Sequence, residues 1–269
     1  MKSLLVYKGF KVHKVLKYVL TLGTFCFMNF QLVAQQDSLG FTNKAEAKNL
    51  MVNGKKEGKW VEYMDDLGST TDTTSPYFKL TIYREDKPLG MVKVYDGGKL
   101  VSEIPYKAGK INGIVREYNY NNWKLKSEIP YINGKVNGVY KEYYDNGQLQ
   151  FETNYIDGKE NGMDKEYYEN GKLMSETTYV NDTISGVDKL YYENGELEME
   201  TTINGKGKVM VKEYYENGEI KSETPYLNGK REGLEKVYGM NGQVISETTF
   251  TDDKPLKIEK FDILGNRIK

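Results

Sequence analysis

The chain has 269 residues, a formal net charge of -1, 38% hydrophobic residues, and one cysteine and one histidine. Both of these lie before residue 35, so the rest has no thiolate nucleophile, no imidazole for general-base or metal work, and no disulfide, which removes most familiar catalytic constellations. Acidic residues interspersed with lysines leave no basic stripe to hold phosphates, which argues against nucleic acid as a partner.

The first segment places Lys2, Lys8, Lys11, Lys14 and Lys17 before an apolar stretch over residues 19–33, then the small Ala34 and the polar Gln35, Gln36 and Asp37. That order predicts a signal peptide over residues 1–34, cleaved near Ala34. The apolar stretch, interrupted by Asn29 and Gln31, is short for a span of about 20 residues. Phe25 before Cys26 is a poor match to a lipoprotein signal. Cleavage removes five lysines and no acids, which takes the formal charge to -6. It leaves no expected transmembrane span in an exported, periplasmic, outer-surface or secreted protein. Residues 35–48 read as a linker and residues 49–269 as one repeat domain.

Within that domain Glu103, Glu128, Glu152, Glu176, Glu200, Glu223 and Glu247 recur at intervals of about 24 residues. Such a unit cannot bury its apolar face alone, so neighbours must stack. Asn146-Gly147, Asn170-Gly171, Asn194-Gly195, Asn217-Gly218 and Asn241-Gly242 each separate two runs rich in Tyr, Leu, Phe and Thr, which predicts β-hairpins closed by type I′ turns. With Asn146-Gly147 in the turn, Tyr144 falls opposite Leu149, Tyr143 opposite Gln150, and Lys141 opposite Glu152. The same arithmetic sets Lys165 against Glu176, Lys189 against Glu200, Lys212 against Glu223 and Lys236 against Glu247. A lysine meets the periodic glutamate each time, a ladder that fixes register more than it adds bulk stability.

Alternation puts Tyr144, Leu149, Phe151, Tyr155 and Glu142 on one face and Lys141, Tyr143, Gln150 and Glu152 on the other. Pro105, Pro130 and Pro225 precede the recurring aromatic position and predict strand ends or bulges. A second turn per repeat, as in Asn133-Gly134-Lys135-Val136-Asn137-Gly138, has two glycines four apart and reads as the longer connection. No segment after the signal has helical periodicity. The expected fold is all-β, an elongated, twisted antiparallel meander of stacked hairpins. Irregularities are Trp123 in place of a turn glycine, a polar insert near residues 68–76, one residue fewer over 203–209, and a C-terminal half-repeat over 261–268 that caps the stack.

Tyrosine doublets followed by Asn-Gly, with Asn-Gly-Lys-x-x-Gly turns between them, resemble MORN-type repeats, specifically the bacterial variant of antitoxin-like proteins, over roughly residues 49–262. The resemblance implies stacked hairpins in a curved strip and non-enzymatic roles: scaffolding, protein binding, membrane association or toxin neutralisation. The signal departs from a cytoplasmic antitoxin, and no basic amphipathic surface supports membrane occupation.

The expected function is that of an exported, non-enzymatic protein-binding or scaffold module of the cell envelope or exterior. Tyr143, Tyr167, Tyr191 and Tyr214 on the mixed face are the candidate partner-binding residues, because tyrosine supplies broad contact area at small entropic cost. Alternatives are an antitoxin or immunity-type protein and a glycan or peptidoglycan binder. No catalytic, cofactor or metal residues are expected. The periodic glutamates occur in every repeat, unlike a unique active site, and no loop clusters acids at calcium-binding spacing.

Overall fold

The structure, a computed structural model, describes residues 41–65 and 73–268. The expected signal with His13 and Cys26, residues 35–40 of the expected linker and residues 66–72 around the polar insert lie outside the described residues. The fold is all-β, and every strand pairing among the described residues is antiparallel.

The chain divides into two compact units. The N-terminal unit runs to Trp123 and includes the turn Ile132–Gly134. Its strands are β1 (Leu50–Val52), β2 (Lys55–Met64), β3 (Tyr77–Arg84), β4 (Lys87–Asp96), β5 (Lys99–Lys107), β6 (Lys110–Ile111) and β7 (Gly113–Tyr118). The C-terminal unit holds Lys124–Tyr131 and the chain from Lys135 onward. Its strands are β8 (Leu125–Ile132), β9 (Lys135–Val136), β10 (Gly138–Tyr143), β11 (Leu149–Ile156), β12 (Lys159–Tyr167), β13 (Leu173–Val180), β14 (Thr183–Tyr191), β15 (Leu197–Ile203), β16 (Lys208–Tyr214), β17 (Ile220–Leu227), β18 (Lys230–Arg231), β19 (Gly233–Tyr238), β20 (Val244–Thr251), β21 (Lys254–Phe261) and β22 (Arg267–Ile268).

In the N-terminal unit Phe41, within the segment read as a linker, is 1% exposed and packs with Phe78 and Leu80. Val61, Tyr63, Ile82 and Tyr95 surround them, and Phe78 stacks on Tyr95 at 5.0 Å between ring centres. A short 3-10 helix, Lys44–Glu46, follows Phe41. Asn49 then exchanges side-chain hydrogen bonds with the backbone of Val61, so this leading segment covers the outer edge of β2. On the opposite face of β2 the buried Glu62 accepts from Lys56 at 2.5 Å, Lys79 at 3.2 Å and the Tyr83 hydroxyl at 2.8 Å. Burial alone would raise the Glu62 pKa, but Lys79, Lys56 and Tyr83 together hold it below the usual carboxylate value.

In the C-terminal unit one repeat is one hairpin, and the two kinds of turn exchange the roles expected for them. The tight two-residue turns are the second set: Ile156 pairs with Lys159 around Asp157 (φ 51°) and Gly158 (φ 87°), the positive-φ pair a type I′ turn requires. At Asn146-Gly147 only the glycine has positive φ, 93°. There Gly147 N–H donates to Tyr144 O at 2.8 Å and Tyr144 N–H donates to Gln148 O at 2.9 Å, which makes a four-residue turn closed by a glycine bulge. The expected pairs Tyr144–Leu149 and Tyr143–Gln150 are therefore displaced, and Tyr143 faces Leu149. A second irregularity, a register shift between Tyr143 and Glu142 that passes over Gln150, then restores the expected register, with Glu142 opposite Phe151 and Lys141 opposite Glu152. Asn-Gly satisfies both turn types, so the dipeptide alone does not choose between them.

The second glycine of the tight turns shapes a bulge and does not lengthen the loop. Gly138 has φ 116°, and a Cβ there would lie 3.2 Å from Pro130 Cγ. Pro130 donates nothing to the ladder, while its carbonyl accepts from Asn137 N–H at 2.9 Å. In the shortened repeat, β15 and β16 pair without any register shift from Met199–Glu213 to Ile203–Val209. The missing residue has removed the bulge.

The face expected to be apolar is only partly so. Tyr131, Tyr155, Tyr179 and Phe250 are buried, yet beside them run Thr153, Thr177, Thr224 and Thr248, also buried. Thr153 faces Asp164, Thr177 Oγ1 donates to Asp188, and Thr224 Oγ1 donates to Glu235 at 3.3 Å. Hydroxyl-carboxylate pairs thus line the middle of this face, and the aromatics flank them.

Candidate functional site: the ladder face

The opposite face of the C-terminal unit is built in rows that cross the strands. The first is the charge ladder, and it is continuous. Lys141 faces Glu128 on one side and Glu152 on the other, and Glu152 faces Lys165. Alternation then continues through Glu176, Lys189, Glu200, Lys212, Glu223, Lys236 and Glu247. Ion pairs close at Lys212–Glu223, 3.1 Å, and Lys236–Glu247, 3.8 Å, as the register implies. Lys189 instead reaches Glu176 at 3.3 Å, its other neighbour, because each lysine lies between two glutamates. The row ends at β21, where Glu247 meets Glu259, and Glu259 is held by Lys257 and Arg267, each at 3.0 Å.

The candidate tyrosines stand directly beside this ladder, half-buried, and most of their hydroxyls are already engaged. Tyr143 donates to Glu128 at 3.2 Å, Tyr167 to Glu152 at 3.0 Å, Tyr191 to Glu176 at 2.9 Å and Tyr238 to Glu223 at 2.8 Å. Each glutamate is the one on the preceding strand, so every such bond ties one repeat to the next. Burial first, then the glutamate hydrogen bond, pushes the phenols of Tyr167, Tyr191 and Tyr238 up to about 12. The bond from Tyr238 and the pairing with Lys212 hold Glu223 below the ordinary carboxylate value. Tyr214 follows the shortened turn and lies by Glu200 without this bond; burial first and Glu200 second raise its pKa.

A second tyrosine of each doublet works along the turns. The hydroxyl of Tyr144 donates to Tyr167 O at 2.6 Å, Tyr168 to Tyr191 O at 2.5 Å, Tyr192 to Tyr214 O at 2.8 Å and Tyr215 to Tyr238 O at 2.9 Å. The turn asparagines add to this: Asn146 Oδ1 accepts from Gln148 N–H at 2.7 Å while Nδ2 donates to Glu169 O at 3.1 Å in the following repeat.

The row that sequence reasoning missed is aliphatic. Val139, Met163, Val187 and Leu234 are 37–43% exposed, and with the half-buried Met210 they stand two residues before the ladder lysines. Residues two apart on a strand share a face, so the signal was present in the spacing Val139-x-Lys141, Met163-x-Lys165 and onward. Across from them sit shorter or ring-closed side chains: Asn154, Thr178, Thr202, Pro225 and Thr249. Ile156 and Val180, about half exposed, extend the apolar strip toward the tight turns.

This surface presents contact area, paired charges and phenols. Among the described residues no group of three or more His, Cys, Asp or Glu side chains is placed to hold a metal ion, and no helix is long and apolar enough to cross a membrane. Residues 136–157, 161–181 and 210–228 match the MORN repeat variant family, and these segments are MORN-variant repeats in the C-terminal unit. No curated protein matches the chain.

Proposed function

We propose that this chain of MORN-variant repeats is an exported, non-enzymatic protein-binding or scaffold module of the cell envelope or exterior, and that the ladder face of its C-terminal unit is the binding surface. One observation carries this reading: one aliphatic side chain per repeat, at Val139, Met163, Val187 and Leu234, stands exposed on the face that also holds the tyrosines and the paired charges. An apolar strip rimmed by polar groups is the usual composition of a protein contact surface. The basic, apolar and small-residue order of residues 1–34 supports export. Glutamates engage the hydroxyls of Tyr143, Tyr167 and Tyr191, so these residues act through their ring edges and not as free sugar-binding hydroxyls.

The test is capture by the immobilised full chain from extracts of the producing cells, beside Val139→Asp/Leu234→Asp and, as a control on the turns, Tyr144→Phe. Protein retention is expected with the wild type and Tyr144→Phe and lost with the double variant. Retention unchanged by the double variant would acquit this face. Cell fractionation with mass analysis of the mature N-terminus checks export; a chain kept inside the cell with residues 1–34 intact would refute it.

A further inference from the structure

The rows of the ladder face differ systematically between strands. Strands β10, β12, β14, β16 and β19 carry the lysine and the large aliphatic residue; strands β11, β13, β15, β17 and β20 carry the glutamate and the smaller partner. This alternation has a geometric consequence. A two-fold axis lying along the strands, between β14 and β15, exchanges the two strand classes at every position. It sets Lys189 over Glu200 of a second copy, and at the next large residue outward it sets Met163 over Pro225 of that copy. Charge therefore meets opposite charge and bulk meets a shallow position by one and the same operation.

We propose that the ladder face pairs with itself, the ligand being a second copy of this chain related by that axis. The inference rests on reading the ladder face as the binding surface and names its partner. An alternating row is electrically balanced, so a uniformly acidic or basic partner gains little from it, whereas an identical alternating row shifted by one strand is complementary to it. The repeat pitch also matches without adjustment, because both copies have the same one. Ten strands at about 4.8 Å, crossed over about five residues of strand at about 3.4 Å, present on the order of 800 Å² per copy. That is the ceiling set by full overlap, and it equals the roughly 800 Å² per partner of a standard-size interface. Packed sheets rotate by roughly 30° relative to each other, so the rows around Val187 and Met163 carry the contact and outer rows fit less closely. The symmetric arrangement is isologous and closes at two copies.

Sedimentation equilibrium of the full chain is expected to give the mass of two chains at micromolar concentration. Met163→Asp/Val187→Asp should give one chain at the same concentration with an unchanged far-ultraviolet circular dichroism spectrum. In a Cys26→Ser background, Met163→Cys/Pro225→Cys should be joined between copies by a thiol-specific cross-linker spanning about 10 Å, the spacing of packed sheets. Within one copy these positions are five strands and about 24 Å apart, beyond that reach. A single-chain mass for the wild type overturns the proposal, as does a two-chain mass insensitive to Met163→Asp/Val187→Asp, which would place association elsewhere. A single-chain mass together with partner capture that Val139→Asp/Leu234→Asp abolishes would overturn self-pairing and leave the binding reading standing.

Discussion

The N-terminal and C-terminal units are built from the same antiparallel hairpins, yet they are held together differently. The N-terminal unit closes around side chains that occur once: Phe41 and Leu80 at 1% exposure, Phe78 stacked on Tyr95, and Glu62 gripped by Lys56, Lys79 and Tyr83. The C-terminal unit has no comparable cluster among its described residues. Its bonds recur instead, tyrosine to glutamate, tyrosine to carbonyl and asparagine to carbonyl, each joining one repeat to the next. One unit concentrates its stability at a few positions, and the other spreads it along the chain as a sum of neighbour terms. Spreading leaves a whole face uncovered and uniform, which suits it to contact.

Leu80→Ala should cost the N-terminal unit more than any single change costs the C-terminal one. Leu80 is fully buried among aromatic rings that cannot collapse into the space, so the loss should be about 2–5 kcal/mol, read from denaturant unfolding of the full chain. A loss below about 1 kcal/mol would show that the Phe41–Phe78–Leu80 cluster is not what holds the N-terminal unit.

A smaller effect is expected where the bonds repeat. Tyr168→Phe keeps the ring and removes only the hydroxyl donated to Tyr191 O, at the middle of the C-terminal unit. The expected cost is about 0.5–1.5 kcal/mol, since a neutral intramolecular hydrogen bond nets little and the freed carbonyl lies near the surface. Tyr192→Phe, one repeat on, should cost about the same. Hydrogen exchange checks both, with faster exchange confined to the altered repeat and its neighbours. Loss of protection across the whole unit at once would mean that the C-terminal unit is as concentrated as the N-terminal one.

These two regions also differ in how much of them the sequence discloses. The ladder was legible although the turn was not: the arithmetic assumes a two-residue turn, and a register shift between Glu213 and Tyr214, and between Val237 and Tyr238, offsets the longer turn and restores the pairing of Lys212 with Glu223 and of Lys236 with Glu247. Turn types were not legible, because Asn-Gly occupies both the four-residue turn at Asn146-Gly147 and the tight turn at Asn133-Gly134. The buried threonines were hidden for a similar reason: alternation marks Thr153 as sharing a face with Tyr155, but only the register puts Asp164 across from it. The N-terminal core was the least legible. Phe41 precedes the repeats altogether and nothing in its neighbourhood is periodic, so its packing on Leu80 is a tertiary fact without a local signal. The tyrosine candidates were placed on the correct face, but their bonds to the ladder connect residues fifteen apart through a strand crossing that spacing alone does not reveal.

The smallest expected effect concerns the ladder itself. Lys236 and Glu247 lie 3.8 Å apart with side chains 38% and 26% exposed, so solvent screens most of their attraction. Lys236→Gln should therefore cost only about 0.2–0.5 kcal/mol at low salt, and a double-mutant cycle with Glu247→Gln isolates that pair from the neighbouring Glu223, which Lys236 also faces. Raising salt to about 1 M shortens the Debye length to about 3 Å and should erase the coupling. If the coupling is this small, the ladder contributes chiefly by penalising slipped registers, in which a one-strand-residue shift would carry lysines and glutamates to the Thr–Asp face. A salt-insensitive coupling above about 1 kcal/mol would instead make the ladder a principal stabilising element, and the spread of stability along the C-terminal unit would have to be ascribed to charge and not to the tyrosine and asparagine bonds.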